Sequence, residues 1–195
     1  MLDIEFSKRM YENTEKANNL YPPNAVKEIA LRYKFTLNYI ENKNVLEIGP
    51  GTGYGSKNLI HLSKSYSAIE YSSINTKEFK KIYPKINIKN INFLDIETSK
   101  YNKVECIVSM ANIYYFDFHK YIKKVNNILN KNGILIFCTT NKLHENFIPA
   151  KYSTDYYSLE EIRKILDSHF YNVKFFGVYK KTRIKLFYQR VKKWI

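Results

Sequence analysis

From Asn44 onward, short apolar runs alternate with stretches of helical periodicity, and this alternation organises most of the chain. Strands that alternate with helices are typical of a parallel sheet covered by helices on both faces. We therefore predict an α/β, doubly wound fold with a mostly parallel sheet of seven strands. The predicted strands cover residues 44–48, 66–70, 90–94, 104–109, 133–139 and 171–176, with a last one near 183–190.

Helices are predicted between these strands at residues 57–62, 74–83, 119–129 and 159–169. Asp117 is expected to cap the third of them. Ser158 and Glu161, three residues apart, form the signature of a capping box before the fourth. Asn132 and Gly133 are expected to end the third helix. The basic tail around 183–190 also fits an amphipathic helix, although a last antiparallel strand is favoured.

The first forty residues have a helical pattern on both sides of residues 21–24 and contain no predicted strand. Such a segment can fold over a binding cleft, so we predict an N-terminal helical cap or lid over residues 1–40. A plain packing helix is the alternative. The domain that carries the chemistry is then expected over residues 41–195, and the sequence contains neither a repeat nor a linker.

The first predicted strand leads into a loop with glycine at every second position, Gly49, Gly51 and Gly53. Glycine allows tight turns, positive φ angles and a close approach of the backbone to a ligand. A dinucleotide-binding loop would need a further glycine at the position of Tyr54. No phosphate-binding Gly-Lys-Ser/Thr follows either. The spacing therefore matches neither a dinucleotide-binding loop nor a phosphate-binding loop.

The spacing Glu-x-Gly-x-Gly-x-Gly, which begins at Glu47, resembles the first motif of class I S-adenosylmethionine-dependent methyltransferases. A carboxylate beside the loop suits a cofactor that carries an ammonium and a sulfonium group. The resemblance implies S-adenosylmethionine as cofactor and S-adenosylhomocysteine as product. It places the following residues in the cofactor site: Glu47, Gly49, Gly51, Gly53 and Tyr54.

Acidic residues follow the next two predicted strands. Glu70 lies about 20 residues after the first glycine, the separation expected of a carboxylate that binds ribose hydroxyls. The third strand is expected to lead into Asp95 and Ile96, where the methyltransferase resemblance implies an acid and an apolar residue against the adenine. The cofactor site implied by this resemblance also includes three further residues: Tyr71, Ser109 and Met110.

Most of residues 30–178 is similar to bacterial methyltransferases of surface-polysaccharide (capsule and O-antigen) gene clusters, on motifs at 32–35, 45–56, 138–142 and 157–162. This resemblance implies O- or N-methylation of a sugar, a sugar nucleotide or a phosphate-type precursor of a capsule. Those relatives usually carry a Glu-His pair where this chain has Tyr114 and Tyr115. The general base is therefore missing or has moved, and the candidate catalytic residues are Tyr115 and His144.

Two alternatives remain open. Residues 46–51 are close to those of ribosomal-RNA adenine dimethyltransferases, Asn112 begins a segment similar to their Asn-x-Pro-Tyr, and positive charge suits RNA. Against adenine N6-methylation, the prolines of that tetrapeptide are absent and no helical RNA-binding domain follows. The other alternative is a catalytically silent methyltransferase-like protein that only binds or acts structurally.

The chain has 195 residues, 45% of them hydrophobic, which suits one globular domain. Cys106 and Cys138 have no metal-ligand spacing and are predicted to be buried in a reducing compartment, so no metal is expected. Residues 1–20 contain charges throughout, so neither a signal peptide nor a membrane span is expected, and a cytoplasmic location is predicted.

The formal net charge is +14, and most lysines are scattered over the chain. Such a field attracts anions, so an anionic small-molecule acceptor would benefit from it. The main cluster of basic residues is the C-terminal segment 180–195. We consider nucleic acid or an acidic membrane surface as its partner, but favour a solvated edge or a contact within a homo-oligomer.

Overall fold

The structure, a computed structural model, describes residues 23–101, 104–145, 147–150 and 152–177. Within these ranges five parallel strands form one sheet in the order β3-β2-β1-β4-β5. The predicted doubly wound α/β class is confirmed. The strands are β1 Asn44–Ile48, β2 Ser65–Glu70, β3 Asn87–Asn90, β4 Val104–Met110 and β5 Leu129–Cys138. The predicted strand near 183–190 lies outside the described residues.

Five α-helices belong to the described ranges: α1 Pro23–Ile40, α2 Ser56–Leu62, α3 Ser73–Ile82, α4 Phe118–Ile128 and α5 Leu159–Leu166. The capping predictions are confirmed. Asp117 accepts a hydrogen bond from the backbone N–H of Lys120 at the start of α4. At the start of α5, Ser158 and Glu161 form the reciprocal capping box.

The third strand lies earlier in the chain than the predicted 90–94. It pairs with β2 from Asn87 to Asn90 and then ends, because the Asn90 side-chain amide donates to the carbonyl oxygens of Glu70 and Tyr71. The side chain of Asn92 accepts a hydrogen bond from Leu94 N–H and begins a 3₁₀ turn over Phe93–Asp95. Local asparagine side chains therefore replace the ladder that the apolar run suggested.

The predicted turn at Asn132 and Gly133 does not end the preceding helix, because α4 ends at Ile128 and β5 begins at Leu129. Val104 pairs with Leu129 and Cys106 pairs with Ile134, so five positions on β5 correspond to two on β4. The extra residues form a bulge in which Asn132 has a φ of 68°. The irregular backbone predicted at Asn132 therefore occurs, but within β5 and not at the end of α4.

The predicted strand at 171–176 is absent from the described part of the sheet. The apolar residues of this segment are used for packing instead: Val173 and Phe175 contact the larger core cluster, and Phe176 packs on Phe35 of α1 with ring centroids 4.8 Å apart. Apolar periodicity reports burial of side chains, and here that burial occurs without backbone pairing.

The sheet buries a different apolar cluster on each face. Leu46 and Ile48 of β1 belong to the larger cluster, which includes residues of α4 and α5. Val45, the residue before Leu46, belongs to the second cluster together with Tyr33 and Ile40 of α1. Because neighbouring strand residues point to opposite faces, this division fixes the register of β1.

The topology predicts where a ligand binds. The strand order reverses beside β1, whose neighbours β2 and β4 continue the chain in opposite directions across the sheet. Doubly wound sheets bind ligands beyond the carboxyl ends of the strands at such a switch point. Helix α1 packs against α2, β4 and β5 at this centre. Residues 1–22 of the predicted cap lie outside the described ranges.

Among the described helices, none combines the length and the apolar character needed to cross a bilayer.

Candidate functional site

A cleft lies at the carboxyl edge of the sheet, and segments that follow four successive strands of the sheet form it. Residues that end or follow β1, β2, β3 and β4 all contribute, which is the arrangement expected at a switch point. Of the residues predicted for the cofactor site, the cleft brings together Gly49, Glu70 and Tyr71. The full lining is Ile48, Gly49, Ile69, Glu70, Tyr71, Ile91, Phe93, Asn112 and Phe116.

The glycine loop has the backbone geometry that the sequence suggested. Gly49, Gly51 and Gly53 have φ angles of 67°, 60° and 83°, in the left-handed region that side chains other than glycine rarely adopt. A Cβ on Gly51 would meet no atom within 4 Å, so open space lies beside this residue. A Cβ on Gly53 would instead contact the ring of Phe79 at 2.7 Å. Gly51 therefore faces space that a ligand can fill, and Gly53 is needed for packing.

Glu70 is the best-placed polar residue of the cleft. Its side chain is buried, and its two carboxylate oxygens accept hydrogen bonds from the backbone N–H groups of Ser72 at 2.8 Å and Gly51 at 2.9 Å. These contacts fix the carboxylate at the end of β2. Because each carboxylate oxygen can accept more than one hydrogen bond, hydroxyl groups of a ligand can add to this arrangement.

Asn112 is a cleft residue that the sequence-based prediction of the site does not include. Its side-chain amide donates to the carbonyl oxygen of Ile48 at 2.5 Å, and its amide oxygen accepts a hydrogen bond from the Ser109 hydroxyl. The amide lies so close to Gly49 that a Cβ on that glycine would overlap it. Asn112 therefore joins the ends of β1 and β4. The available sequence signal was its similarity to the first residue of the Asn-x-Pro-Tyr segment.

Glu47 is not in the cleft, unlike the prediction from the glycine motif. It is on the face of the sheet covered by α1 and α2, with 0% exposure. Its carboxylate accepts hydrogen bonds from Tyr33, Ser56 and Tyr66. Burial raises the pKa of this carboxyl and the three hydroxyl donors oppose that shift. Glu47 is therefore placed to organise the structure beneath the loop.

The acid and apolar residue expected after the third strand are separated in the structure. Asp95 is exposed at the end of the 3₁₀ turn, whereas Ile96 is 6% exposed and packs in the larger core cluster. The Lys124 ammonium donates to the carbonyl oxygens of Leu94 and Ile96 and so holds this turn. Phe93 and Ile91 reach the cleft instead, because β3 ends earlier than predicted.

Three other predicted cofactor residues lie around the cleft without lining it. Ser109 is buried and contacts it through Asn112. Met110 ends β4 and packs against the cluster beneath α1. Tyr54 is 58% exposed at the outer side of the glycine loop. Ser109 thus influences the cleft through the position of Asn112.

The loops after β4 and β5 meet beside the cleft and form a group of four aromatic rings. Tyr114 stacks on Tyr156 with centroids 4.9 Å apart, Tyr115 packs edge-on against Tyr114 at 4.7 Å, and Phe147 packs against Tyr156 at 4.8 Å. Thr154 joins the two loops, because its N–H and hydroxyl both donate to the Tyr114 carbonyl oxygen. These four rings form an aromatic wall beside the cleft.

The two predicted catalytic residues lie on these same loops. Tyr115 is on the 3₁₀ turn Ile113–Tyr115 that follows β4, and it is partly buried. His144 is exposed in the turn after β5, where its backbone N–H donates to Asn141. Neither residue lines the cleft itself.

The donor and acceptor groups of the cleft fit S-adenosylmethionine. The Glu70 carboxylate suits ribose hydroxyls, the open space beside Gly51 allows close contact with the backbone, and Ile91 and Phe93 present apolar surface for an aromatic base. Among the described residues, no group of three or more His, Cys, Asp or Glu side chains could hold a metal ion. The cleft thus matches a nucleoside.

Comparison with known families and proteins agrees with this geometry. The model of the ribosomal RNA adenine dimethylase family matches residues 12–169. A curated relative is malonyl-[acyl-carrier protein] O-methyltransferase 2 from Ilyobacter polytropus, 29% identical over 141 residues that cover 65% of this chain and 54% of the relative. The chain spans about half the length of the curated relatives it matches.

Solved structures share the fold. DhpI in complex with S-adenosylhomocysteine matches with a TM-score of 0.65 and 13% identity, over 84% of this chain and 85% of DhpI. The sugar N-methyltransferase KedS8 from Streptoalloteichus matches with a TM-score of 0.54 and 11% identity, over 63% of this chain and 52% of KedS8. At these identities the likeness shows a common methyltransferase fold.

Proposed function

The chain belongs to the ribosomal RNA adenine dimethylase family and is an S-adenosylmethionine-dependent methyltransferase, and from this premise we propose that its acceptor is a small molecule. The acceptor class we propose is a sugar, a sugar nucleotide or a phosphate-type precursor of a surface polysaccharide. The methyl group would be placed on an oxygen or a nitrogen of that molecule. Family membership fixes the cofactor, whereas the acceptor has to be argued from the acceptor side of the cleft.

This proposal rests on the contacts that Asn112 and Tyr114 make in the structure. An acceptor amino group that used the Asn112 side-chain amide would compete with the hydrogen bonds that this amide already makes. Here that amide is bonded to the Ile48 carbonyl and the Ser109 hydroxyl, and the proline position is taken by Tyr114, which stacks on Tyr156. Tyr114 also belongs to the group of four packed aromatic rings, a rigid surface that suits a small acceptor.

Two further features favour a sugar-type acceptor. Partly buried tyrosine rings combine an apolar face with a hydroxyl, which suits the mixed surface of a sugar. The net charge of +14 favours an acceptor that carries phosphate or another negative group. KedS8, which shares the fold, is by its name a sugar N-methyltransferase, and this agrees with the proposal.

The chain's own residues would supply binding and alignment. S-adenosylmethionine provides a methyl group on a positively charged sulfur. Glu70 and the loop around Gly51 would hold the nucleoside. Tyr115 would orient the acceptor hydroxyl or amine, and His144 or solvent would take its proton. Alignment of two reactants can supply much of the acceleration of a one-step displacement, so a strong base is not required.

The experiment is methyl transfer from radiolabelled S-adenosylmethionine to two acceptor pools under the same conditions. One pool contains nucleotide sugars, and the other is ribosomal RNA stripped of protein. Label in a nucleotide sugar, lost on omission of the enzyme, is the expected result. Label in ribosomal RNA would overturn the small-molecule acceptor and identify adenine N6-methylation instead, the second candidate, which the family match favours. Label in neither pool, with cofactor binding intact, would contradict both and favour a structural role.

A further inference from the structure

Hydroxyl groups from three different elements of the fold donate hydrogen bonds to the buried carboxylate of Glu47. Tyr33 of α1 donates to one oxygen at 2.6 Å, while Ser56 of α2 and Tyr66 of β2 donate to the other at 2.7 Å and 2.5 Å. Both Glu47 and Ser56 have 0% exposure, and Tyr33 has 8%. Hydrogen bonds to a buried carboxylate are among the stronger ones in proteins, so this junction holds the three elements together.

The ring of Tyr33 also touches the glycine loop directly. A Cβ on Gly55 would overlap the Tyr33 ring, so the two residues are in close contact. Gly55 has φ −82° and ψ −18°, a conformation that any residue can adopt. Glycine is therefore present at this position to give the tyrosine ring space, not to permit an unusual backbone angle.

Movement at Gly55 would be passed to the cofactor side of the loop. The backbone N–H of Ser56 donates to the carbonyl oxygen of Gly53, and the N–H of Gly53 donates to that of Pro50, both at 3.1 Å. The loop from Pro50 to Ser56 is thus one hydrogen-bonded unit. Its end beside α2 is held by Tyr33 and Glu47, and its other end carries Gly51, which is next to open space and donates its N–H to the cleft residue Glu70.

We propose that Tyr33 is a positioning residue for S-adenosylmethionine, which sets the place of the glycine loop through its contact with Gly55 and its hydrogen bond to Glu47. Helix α1 is then a part of the cofactor site that acts without touching the cofactor. This role of Tyr33 concerns cofactor binding alone, so a binding measurement tests it whichever acceptor is methylated.

The first test compares two variants that remove one hydroxyl each from the same carboxylate, Tyr33→Phe and Tyr66→Phe. Tyr66 donates to Glu47 from β2 and serves as the matched control. Titration calorimetry with S-adenosylhomocysteine is expected to show about fivefold to tenfold weaker binding for Tyr33→Phe, the effect of one lost hydrogen bond, and less than twofold for Tyr66→Phe. Equal weakening, or none in Tyr33→Phe, would overturn the proposal, because the junction would then act only on stability or not at all.

The second test uses the contact itself. Gly55→Ala is expected to weaken binding of S-adenosylhomocysteine at least tenfold when Tyr33 is present, because the new Cβ displaces the ring. In the Tyr33→Ala background the same substitution should change the dissociation constant less than twofold, since the ring is gone. Such non-additivity identifies a direct coupling between two residues. A similar loss in both backgrounds, measured on variants shown by urea denaturation to be folded, would overturn the coupling.

Discussion

The carboxylate of Glu70 accepts a hydrogen bond of 2.9 Å from the backbone N–H of Gly51. This contact joins the end of β2 to the glycine loop that follows β1, although 19 positions separate the two residues in sequence. The residue expected to bind the ribose therefore also shapes the loop that approaches the rest of the cofactor. Cofactor affinity should depend on Glu70 through both effects.

Replacement of Glu70 by glutamine should weaken the binding of S-adenosylhomocysteine strongly. The glutamine amide keeps one oxygen that can accept a hydrogen bond. Its NH₂ group faces the backbone N–H of either Gly51 or Ser72, so that hydrogen bond is lost. Loss of a hydrogen bond to a charged group costs about 1.5–3 kcal/mol, which corresponds to roughly 10-fold to 100-fold in the dissociation constant. Titration calorimetry with S-adenosylhomocysteine measures this dissociation constant.

The matched control for Glu70→Gln is Glu105→Gln. Glu105 also accepts a backbone hydrogen bond, from Asn44 at 2.9 Å, but it does so near the start of β1, away from the carboxyl edge of the sheet. Its replacement should leave cofactor affinity within twofold of the unchanged protein. A Glu70→Gln protein that binds as well as Glu105→Gln would show that the carboxylate does not contact the cofactor.

Two glycines of the loop should respond differently to the same substitution. Alanine at Gly49 or Gly51 must adopt a positive φ angle, which costs about 1–2 kcal/mol of unfolding free energy. At Gly49 the Cβ also overlaps Asn112, so Gly49→Ala should be the more destabilising variant in urea denaturation. At Gly51 the Cβ enters open space, so that variant should stay folded and bind S-adenosylhomocysteine at least tenfold more weakly. Unchanged binding in Gly51→Ala would contradict the assigned cofactor position.

The parallel α/β sheet, the glycine loop after its first strand and the end of the second strand at Glu70 could be predicted because they depend on local and strongly periodic signals. The apolar runs of β1, β2 and β4 are long enough to specify buried strands, and the spacing from Gly49 to Glu70 follows from one strand-helix-strand unit. The burial of Glu47 away from the cleft could not be predicted from the glycine motif. The side-chain direction alternates along a strand, and the motif alone does not say that Tyr33, Ser56 and Tyr66 surround this carboxylate.

The third strand and Asn112 show what the sequence pattern could not specify. Side-chain hydrogen bonds of Asn90 and Asn92 to nearby backbone end β3 before the apolar residues Ile91 and Phe93, which consequently reach the cleft. Such competition between side chain and backbone is hard to anticipate from periodicity. Asn112 acts through contacts with Ile48, 64 positions away, and only the folded structure brings them together.

The capping box of α5 should make stability depend on pH in the acidic range. The hydrogen bond from Lys142, followed by those from the backbone and hydroxyl of Ser158, lowers the pKa of Glu161 from 4.5 to about 2. A lowered folded-state pKa means that the contribution is present above about pH 4.5 and is lost as the pH falls through about 2. The free energy of unfolding, measured by urea denaturation, should therefore differ less between pH 6 and pH 3 in Glu161→Gln than in the unchanged protein.

Glu160→Gln is the control for this pH effect, because Glu160 is exposed in the same helical turn and is not the capping residue. It should retain the pH dependence of the unchanged protein. If the difference between pH 6 and pH 3 is the same in Glu161→Gln as in Glu160→Gln, the capping box does not contribute to acid stability.

The two candidate catalytic residues should affect transfer without affecting the cofactor. Tyr115 and His144 lie on the loops after β4 and β5, and neither lines the cleft where Glu70 lies. With the acceptor identified by the labelling experiment, His144→Ala should lower kcat by at least about tenfold, since proton-transfer groups contribute on the order of 10²–10⁴. Tyr115→Phe should lower kcat as well, because the hydroxyl that would orient the acceptor is lost. Binding of S-adenosylhomocysteine should stay within twofold. His61→Ala is the matched control, because His61 is exposed on α2. Loss of cofactor binding in Tyr115→Phe would show that this tyrosine belongs to the cofactor site, and an unchanged kcat in His144→Ala would leave solvent as the proton acceptor.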